Sequence, residues 1–458
     1  MAKNRPLLLA ALAGLLGLVT ALALVVGRGS QSQVAANGDL GLTVPSANMQ
    51  LNPNWKAQPA TGASVTLPWA NIKVNNDSST EAQNEPFVAV NPNNPNHMVV
   101  GANSWQVGNG HYEVFAYVSF DGGRTWASSQ PYIDRNAGRI NAADPTVAFG
   151  PNGDVYFAFV ALTPSPGAVA VSRSLDGGLT WSYQNWATSF ASGADKPSMA
   201  AAGNKLYLFY QGGSLYSTVS SDGAATWSSA AVIDAAGRNA APVVDSRGNV
   251  SVFYNTNTSI KMASISASRN GRAVVSTVSN TVPLQQRAAG YRAGIYPAAG
   301  VDASGTMYVA WADGRNAGRG NDILLSRSIN GGRTWTAPVT VNTDGSSADQ
   351  LMPSLAVAKN GAVSVAWLDN RNDSANVNYD VYMATSFNGG QSFGTGANKR
   401  VTEVSSNPNN DPRTQGTMIG DYFALAAGNG VMYTLWTDTR NNNEDIYMAP
   451  VPVSAPTN

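Results

Sequence analysis

An eight-residue segment returns along this chain in step with a longer repeat, and together they leave few folds open. Ser119-Phe120-Asp121-Gly122-Gly123-Arg124-Thr125-Trp126 recurs at residues 174–181 and, more loosely, at 220–227. It recurs with Asn for Asp at 328–335 and 386–393, and Ser268-Arg269-Asn270-Gly271 is a worn copy. The chemistry is that of a hairpin turn. Asp or Asn accepts backbone N–H bonds, Gly supplies positive φ at low cost, and the closing Trp or Phe packs into a sheet. These Asp residues are therefore expected to hold turns rather than to catalyse. The longer repeat consists of two short apolar strands joined by a Gly or Asn turn. It begins at Pro86, Pro145, Pro197, Pro242, Pro297, Pro353 and Tyr422. A third strand, the eight-residue box and a fourth strand follow each copy except the last, which stops after its third strand. The expected fold is all-β, a seven-bladed β-propeller with a six-bladed ring as the alternative. The segment around Asn71 to Asn75 is expected to supply the missing outer strand as a clasp between the chain ends.

Composition narrows the chemistry. Charged residues make up 12% of the 458 and the formal net charge is zero, which removes the basic footprint of a nucleic-acid partner. There is no Cys and His is limited to His97 and His111, so thiolate zinc sites, disulfides, cysteine nucleophiles and histidine-rich metal clusters are excluded. Glu is scarce as well: Glu81, Glu85, Glu113, Glu403 and Glu444 are all there are. No cofactor is expected. Calcium held by Asp and backbone oxygens is the one alternative, without a spaced loop of the EF-hand type. No phosphate loop, nucleophile elbow or dinucleotide fingerprint is present.

Lys3 and Arg5 precede an uncharged apolar run over residues 7–26, long enough at ~1.5 Å per residue to cross a ~30 Å hydrocarbon core as a helix. Residues 1–27 are thus an uncleaved anchor or a long signal peptide cut near Val34-Ala35-Ala36, and either way the rest is exported. Residues 28–67 read as a flexible linker, 68–453 as the propeller and 454–458 as a tail. The expected location is extracytoplasmic, secreted or tethered through residues 7–26.

In a four-stranded antiparallel meander the box turns share one face, so the loops leading into each blade and those between strands two and three share the other. That second face is where a site is expected. The loops leading into the blades carry Glu85, Asp144, Asp195, Lys196, Tyr291, Arg292, Tyr296, Arg413 and Asp421, and blade 1 adds His111 and Glu113. A third repeat lies on this face in the last three blades. It reads Trp311-Ala312-Asp313-Gly314-Arg315, Trp367-Leu368-Asp369-Asn370-Arg371 and Trp436-Thr437-Asp438-Thr439-Arg440. Three guanidinium forks near one channel could grip an acidic sugar or another anion. The alternative is that each Arg pairs with an Asp and orders its loop.

With five such boxes, the Asp-box or BNR repeat, the region 68–453 resembles the sialidase superfamily. The resemblance implies a glycoside hydrolase of exo-α-sialidase type: three Arg on the substrate carboxylate, a Tyr nucleophile paired with a Glu, and an Asp acid/base. Gly420-Asp421-Tyr422-Phe423 stands where sialidases place that Tyr, so Tyr422 is the implied nucleophile, with Glu85 or Glu113 as its partner. Arg413 with Arg440, Arg371 or Arg315 would hold the carboxylate, with Asp313, Asp369, Asp438 and Asp421 beside them. The early Phe/Tyr-Arg-Ile-Pro motif is replaced by Asn84-Glu85-Pro86-Phe87. Two other function classes stay open: a non-catalytic propeller that binds a glycan or glycoprotein surface, and a protein-binding scaffold or assembly factor. A hydrolase requires Tyr422 and at least two Arg converging on one point.

Overall fold

The computed structural model describes residues 64–454, apart from 78, 107–110, 134–140, 163–166, 183, 270–271, 286–290, 317, 395, 415 and 417. The expected N-terminal helix and tail lie outside the described residues, as does the linker up to residue 63. Among the described residues no helix is long and apolar enough to cross a membrane.

Seven four-stranded antiparallel sheets make the ring, which settles the blade count. Six blades run in simple sequence order. Blade 1, for example, comprises Ala82–Asn91, Asn94–Gln106, His111–Ser119 and Ala127–Ser129. Blade 7 is composite. Its inner strands are Ala424–Ala427, Val431–Asp438 and Asp445–Pro452, and its outer strand is Ile72–Lys73, with Ile72 opposite Met448 and Lys73 opposite Tyr447. The chain is already docked at Val65, whose amide donates to Glu403 O (2.9 Å).

Each box closes as its residue types require. In blade 1 the Asp121 carboxylate accepts the amides of Arg124 (2.9 Å) and Thr125 (3.0 Å) and the Thr125 hydroxyl (2.6 Å), while Ser119 Oγ accepts the Gly123 amide (2.8 Å). In blade 3 the Thr226 hydroxyl and amide, with Ser220, hold Asp222 down at about 2. Asn serves equally well. Asn330 Oδ1 accepts the Thr334 amide (3.0 Å) and its Nδ2 donates to the Thr334 hydroxyl (2.7 Å), so the bridge is kept with one donor reversed. Gly122 and Gly123 take φ of 76° and 84°.

The core is divided among the seams. Val99, Val114, Phe157 and Phe159 pack between blades 1 and 2, with Trp181 of the blade 2 box wedged against them. Val88, Tyr117, Leu435 and Met448 do the same between blades 7 and 1, against Trp126. Burying each large side chain contributes about 1.5–3 kcal/mol, so the ring is held by its blade-to-blade contacts as much as by its ladders.

Candidate functional site

Around the axis, the residue two before the first regular pair of each inner strand falls at one structural position. Going round the ring, these residues are Glu85, Asp144, Lys196, Asn239, Tyr296, Met352 and Tyr422. Five of them sit at a bulge in the inner strand with left-handed backbone: Glu85 (φ 54°), Asp144 (53°), Lys196 (45°), Asn239 (54°) and Met352 (50°). That conformation is strained for a residue with a Cβ, at about 1–3 kcal/mol each. Lys196, Asn239, Tyr296 and Tyr422 line a cavity of about 240 Å³ on the axis, whose walls are Phe87, Pro197, Pro242, Pro297, Pro353 and Phe423. Prolines are tolerated here because the inner strand is an edge whose free side faces the channel.

Asp421 ties this ring together. Its carboxylate takes a two-point contact from Arg292 (Nε to Oδ1 and Nη2 to Oδ2, both 2.6 Å) and a further ion pair from Lys196. Blades 3, 5 and 7 are thereby joined across the axis. Lys196 also lies over the rings of Tyr296 (5.7 Å) and Tyr422 (6.0 Å). Burial opposes its charge, but Asp421 and its neighbours outweigh that and hold its pKa well above the usual lysine range. Burial likewise acts to raise Asp421, and Lys196 and Arg292 bring it below the ordinary carboxylate value.

A second group of acids stands beside the first. Glu85 accepts the Asp421 amide (2.9 Å) and Asn103 Nδ2 (3.0 Å). Gly420 passes directly over it with φ 91°, and a Cβ there would lie 2.8 Å from Glu85 Cγ. Burial, then Asp144, raises Glu85 well above its usual pKa. Asp144 is pushed up to about 6 by burial and by Asp195, against the pull of Lys196. Its amide donates to Asn103 Oδ1 (3.1 Å), while neither carboxylate oxygen has a hydrogen bond of ordinary geometry. Because the folded chain holds this proton more tightly than the unfolded one, the associated stability is full below about pH 3.9 and is lost as pH rises through the folded value. Asp144→Asn is expected to flatten that fall. Relative to wild type it gains on the order of 2 kcal/mol between about pH 4 and 7 in urea unfolding, and an unchanged pH profile would refute the assignment.

The residues that the resemblance implied fall in different places. Tyr422 lines the cavity, but burial first, then Glu85 and Asp144, push its phenol well above the usual range, so it stays protonated. Glu85 is near it, with its own pKa raised by burial and by Asp144; with Asp144 and Asp421 it is at most 1% exposed. Glu113 is elsewhere. It stands on the third strand of blade 1 and accepts Gln130 Nε2 (2.8 Å) beyond the fourth, away from the axis.

The three repeated arginines take the loop-ordering alternative. Arg315 grips Asp313 at two points (both 2.8 Å), Arg371 grips Asp369 (2.8 and 2.5 Å) and Arg440 grips Asp438 (2.9 and 2.8 Å). The same three carboxylates accept the indole N–H of Trp311 (3.0 Å), Trp367 (2.6 Å) and Trp436 (2.8 Å). Each carboxylate is thereby satisfied, and the Nε–Nη2 edge of each guanidinium is engaged. Arg413 faces Asp411 (3.4 Å) and Asn443 (3.1 Å). Arg292 is held by Asp421, the residue before Tyr422. The residues that join the axis, Lys196 and Arg292, stood in the sequence only as charges in blade-leading loops. The signal for Lys196 was its place immediately before Pro197, matching Glu85-Pro86 and Asp144-Pro145. Among the described residues no group of three or more acidic or histidine side chains is placed to hold a metal ion.

No protein family and no curated protein matches this sequence. Solved structures with a similar fold include the NanB sialidase from Streptococcus pneumoniae, at 12% identity over 68% of this chain and 69% of that one, TM-score 0.47. YCF48 bound to D1 peptide is similar at 13% identity over 86% and 100%, TM-score 0.47. An α-L-arabinofuranosidase, Arb93A from Fusarium graminearum, is similar at 12% over 87% and 98%, TM-score 0.46. These are likenesses of architecture, and a shared architecture does not carry an activity.

Proposed function

We propose that this chain is a non-catalytic, protein-binding propeller that works outside the cytoplasm behind residues 7–26. The observation that carries the reading is the pairing of the repeated arginines: Arg315, Arg371 and Arg440 are each closed through Nε and Nη2 on the Asp two residues before, so the edge that would grip the carboxylate of an acidic sugar at two points is already taken. The buried acids at the axis then serve to lock blades together. What the surface offers instead is apolar. The second residue of four boxes is exposed, namely Phe120 (49%), Leu175 (75%), Ile329 (77%) and Phe387 (42%), and all four share the box face. Apolar side chains, two aromatic and two aliphatic, carried round one face suit a protein surface. A glycan-binding reading has one observation in its favour, the exposed Trp186 tilted against Phe190 (4.8 Å between ring centroids) at the rim of blade 2.

The test is hydrolysis of a fluorogenic sialoside, and of a panel of neutral glycosides, by the full chain and by Tyr422→Phe across the ordinary pH range. Neither protein is expected to turn over any substrate above buffer. Turnover by the wild type that Tyr422→Phe abolishes would overturn the proposal and restore the hydrolase.

A further inference from the structure

The ion pairs at the axis account for Asp421, Lys196 and Arg292 but not for the residues around them. Asn239 holds the same left-handed backbone as Lys196 (φ 54° and 45°), a strain usually kept where a side chain is needed in place, yet it takes no part in the ion pairs. It lines the axial cavity with Lys196, Tyr296 and Tyr422. All four bring hydrogen-bonding capacity that the ring does not use. Lys196 Nζ donates to Asp421 alone among the described residues, although its side chain is only 9% exposed, so two of its three N–H groups have no acceptor there. Neither the Tyr296 nor the Tyr422 hydroxyl has a hydrogen-bond partner among the described residues. Asn239 Nδ2 donates to Asn255 Oδ1 (2.9 Å), and among the same residues nothing donates to its own Oδ1.

The remaining wall is mostly apolar. Phe87, Met199, Leu355 and Leu425 contribute to it, and five of the seven inner strands add a Pro ring. An apolar wall with a few unused polar groups is the usual form of a small-molecule site.

We propose that the axial cavity binds a compact, uncharged ring compound carrying a hydroxyl, a phenol or a cyclic alcohol, with its oxygen at Lys196, Asn239 and the two tyrosines and its ring against the prolines. The inference goes beyond the protein-binding reading above and does not depend on it. Four observations set the class of ligand. A cavity of ~150 Å³ is enough for benzene, so about 240 Å³ takes one ring with its substituents. A hydroxyl both accepts and donates, and so can take an N–H from Lys196 while giving its own hydrogen to Asn239 Oδ1. Charge is disfavoured in either sense. A cation would meet Lys196 and Arg292, and an anion would meet Asp421 with Glu85, Asp144 and Asp195 nearby. A sugar is disfavoured because each Pro in the wall removes a backbone N–H that its hydroxyls would use.

The test titrates three probes of one shape into the full chain and follows them by saturation-transfer NMR: p-cresol, toluene, which lacks the oxygen, and 4-methylbenzoate, which carries a charge. Saturable binding of p-cresol is expected, about tenfold tighter than that of toluene, the effect of gaining a pair of hydrogen bonds, and 4-methylbenzoate is expected to bind no better than toluene. In the double variant Tyr296→Phe with Tyr422→Phe, which keeps the shape and removes both hydroxyls, p-cresol is expected to weaken several-fold while toluene is unchanged. Ala299→Trp fills the cavity and is expected to abolish binding of both. Thermal melts matching the wild type establish that each variant is folded, and the phenylalanine pair keeps the test decisive if Ala299→Trp does not fold. Equal p-cresol binding by wild type and a folded Ala299→Trp would place the ligand elsewhere and overturn the proposal. So would toluene or 4-methylbenzoate binding as tightly as p-cresol, a double variant that binds p-cresol as the wild type does, or no saturable binding by the wild type at millimolar probe.

Discussion

Asp421→Ala is expected to lower the unfolding free energy by about 3–5 kcal/mol, the usual result of removing one partner from a buried ion pair. Its side chain is 1% exposed, and its two cations, Lys196 and Arg292, have side chains only 9% and 19% exposed. Without the carboxylate, two positive charges from blades 3 and 5 are left facing one another in a space too enclosed to hydrate them. The loss has a signature that a plain cavity would lack. Asp144 acts on Lys196 from the next blade and titrates at about 6 in the intact protein. As it ionises it supplies part of the missing charge, so the deficit of the variant should shrink as pH rises through that value. Urea unfolding of Asp421→Ala on either side of Asp144 titration checks both points. A loss below about 1 kcal/mol, the level of an exposed pair, would show that the cluster does not join the blades.

That cluster was also the part of the molecule least legible in the sequence. Lys196 and Asp421 are 225 residues apart and Arg292 is 129 from Asp421. Only closure of the ring brings them together, and no local spacing records it. The tryptophan–aspartate–arginine pairing is the opposite case. Asp and Arg stand two residues apart in the same turn, and the alternative reading as loop-ordering pairs was available from the repeat alone. Counting strands worked because each blade repeats its own local chemistry. Boxes set the turns between strands three and four, and alternation set the strands. The proline that opens most inner strands was a less faithful ruler. In blade 4 the first regular pair is Ala241 with Phe253, so Pro242 lies two places beyond the position of Pro86 or Pro145. An inner strand with a free side toward the channel accepts Pro at either place. Glu113 was misplaced for a different reason. Position on a face was legible, but distance from the axis depends on which strand of the blade carries the residue, and Glu113 is on the third.

The clasp gives the remaining large effect. Asn75→Ala is expected to destabilise the ring by at least about 3 kcal/mol, since it strips partners from several buried polar groups at about 1–3 kcal/mol each. Asn75 is 0% exposed and unites three segments. Its Nδ2 donates to Asp445 Oδ1 (2.9 Å), Gln83 Oε1 (3.1 Å) and Asp77 Oδ1 (3.2 Å), and its Oδ1 accepts the Ile446 amide (2.8 Å). Alanine leaves that amide without its acceptor and weakens the bond between blade 7 and the start of blade 1. The neighbouring Asn71 holds the other end, accepting from Arg440 Nη2 (3.0 Å) and from the Glu403 amide (2.7 Å). One of the three repeated arginines therefore helps fasten the outer strand. Hydrogen exchange distinguishes this account from general loosening. In Asn75→Ala, protection should fall first along Asp445–Pro452, the strand that Ile72–Lys73 covers, while Val155–Ala161 in blade 2 keeps its wild-type protection. Equal loss in both strands would mean that the ring unfolds as one unit and that the seam between blades 7 and 1 is no weaker than the others. A confined loss would locate the seam closed by the chain ends as the place where the ring opens.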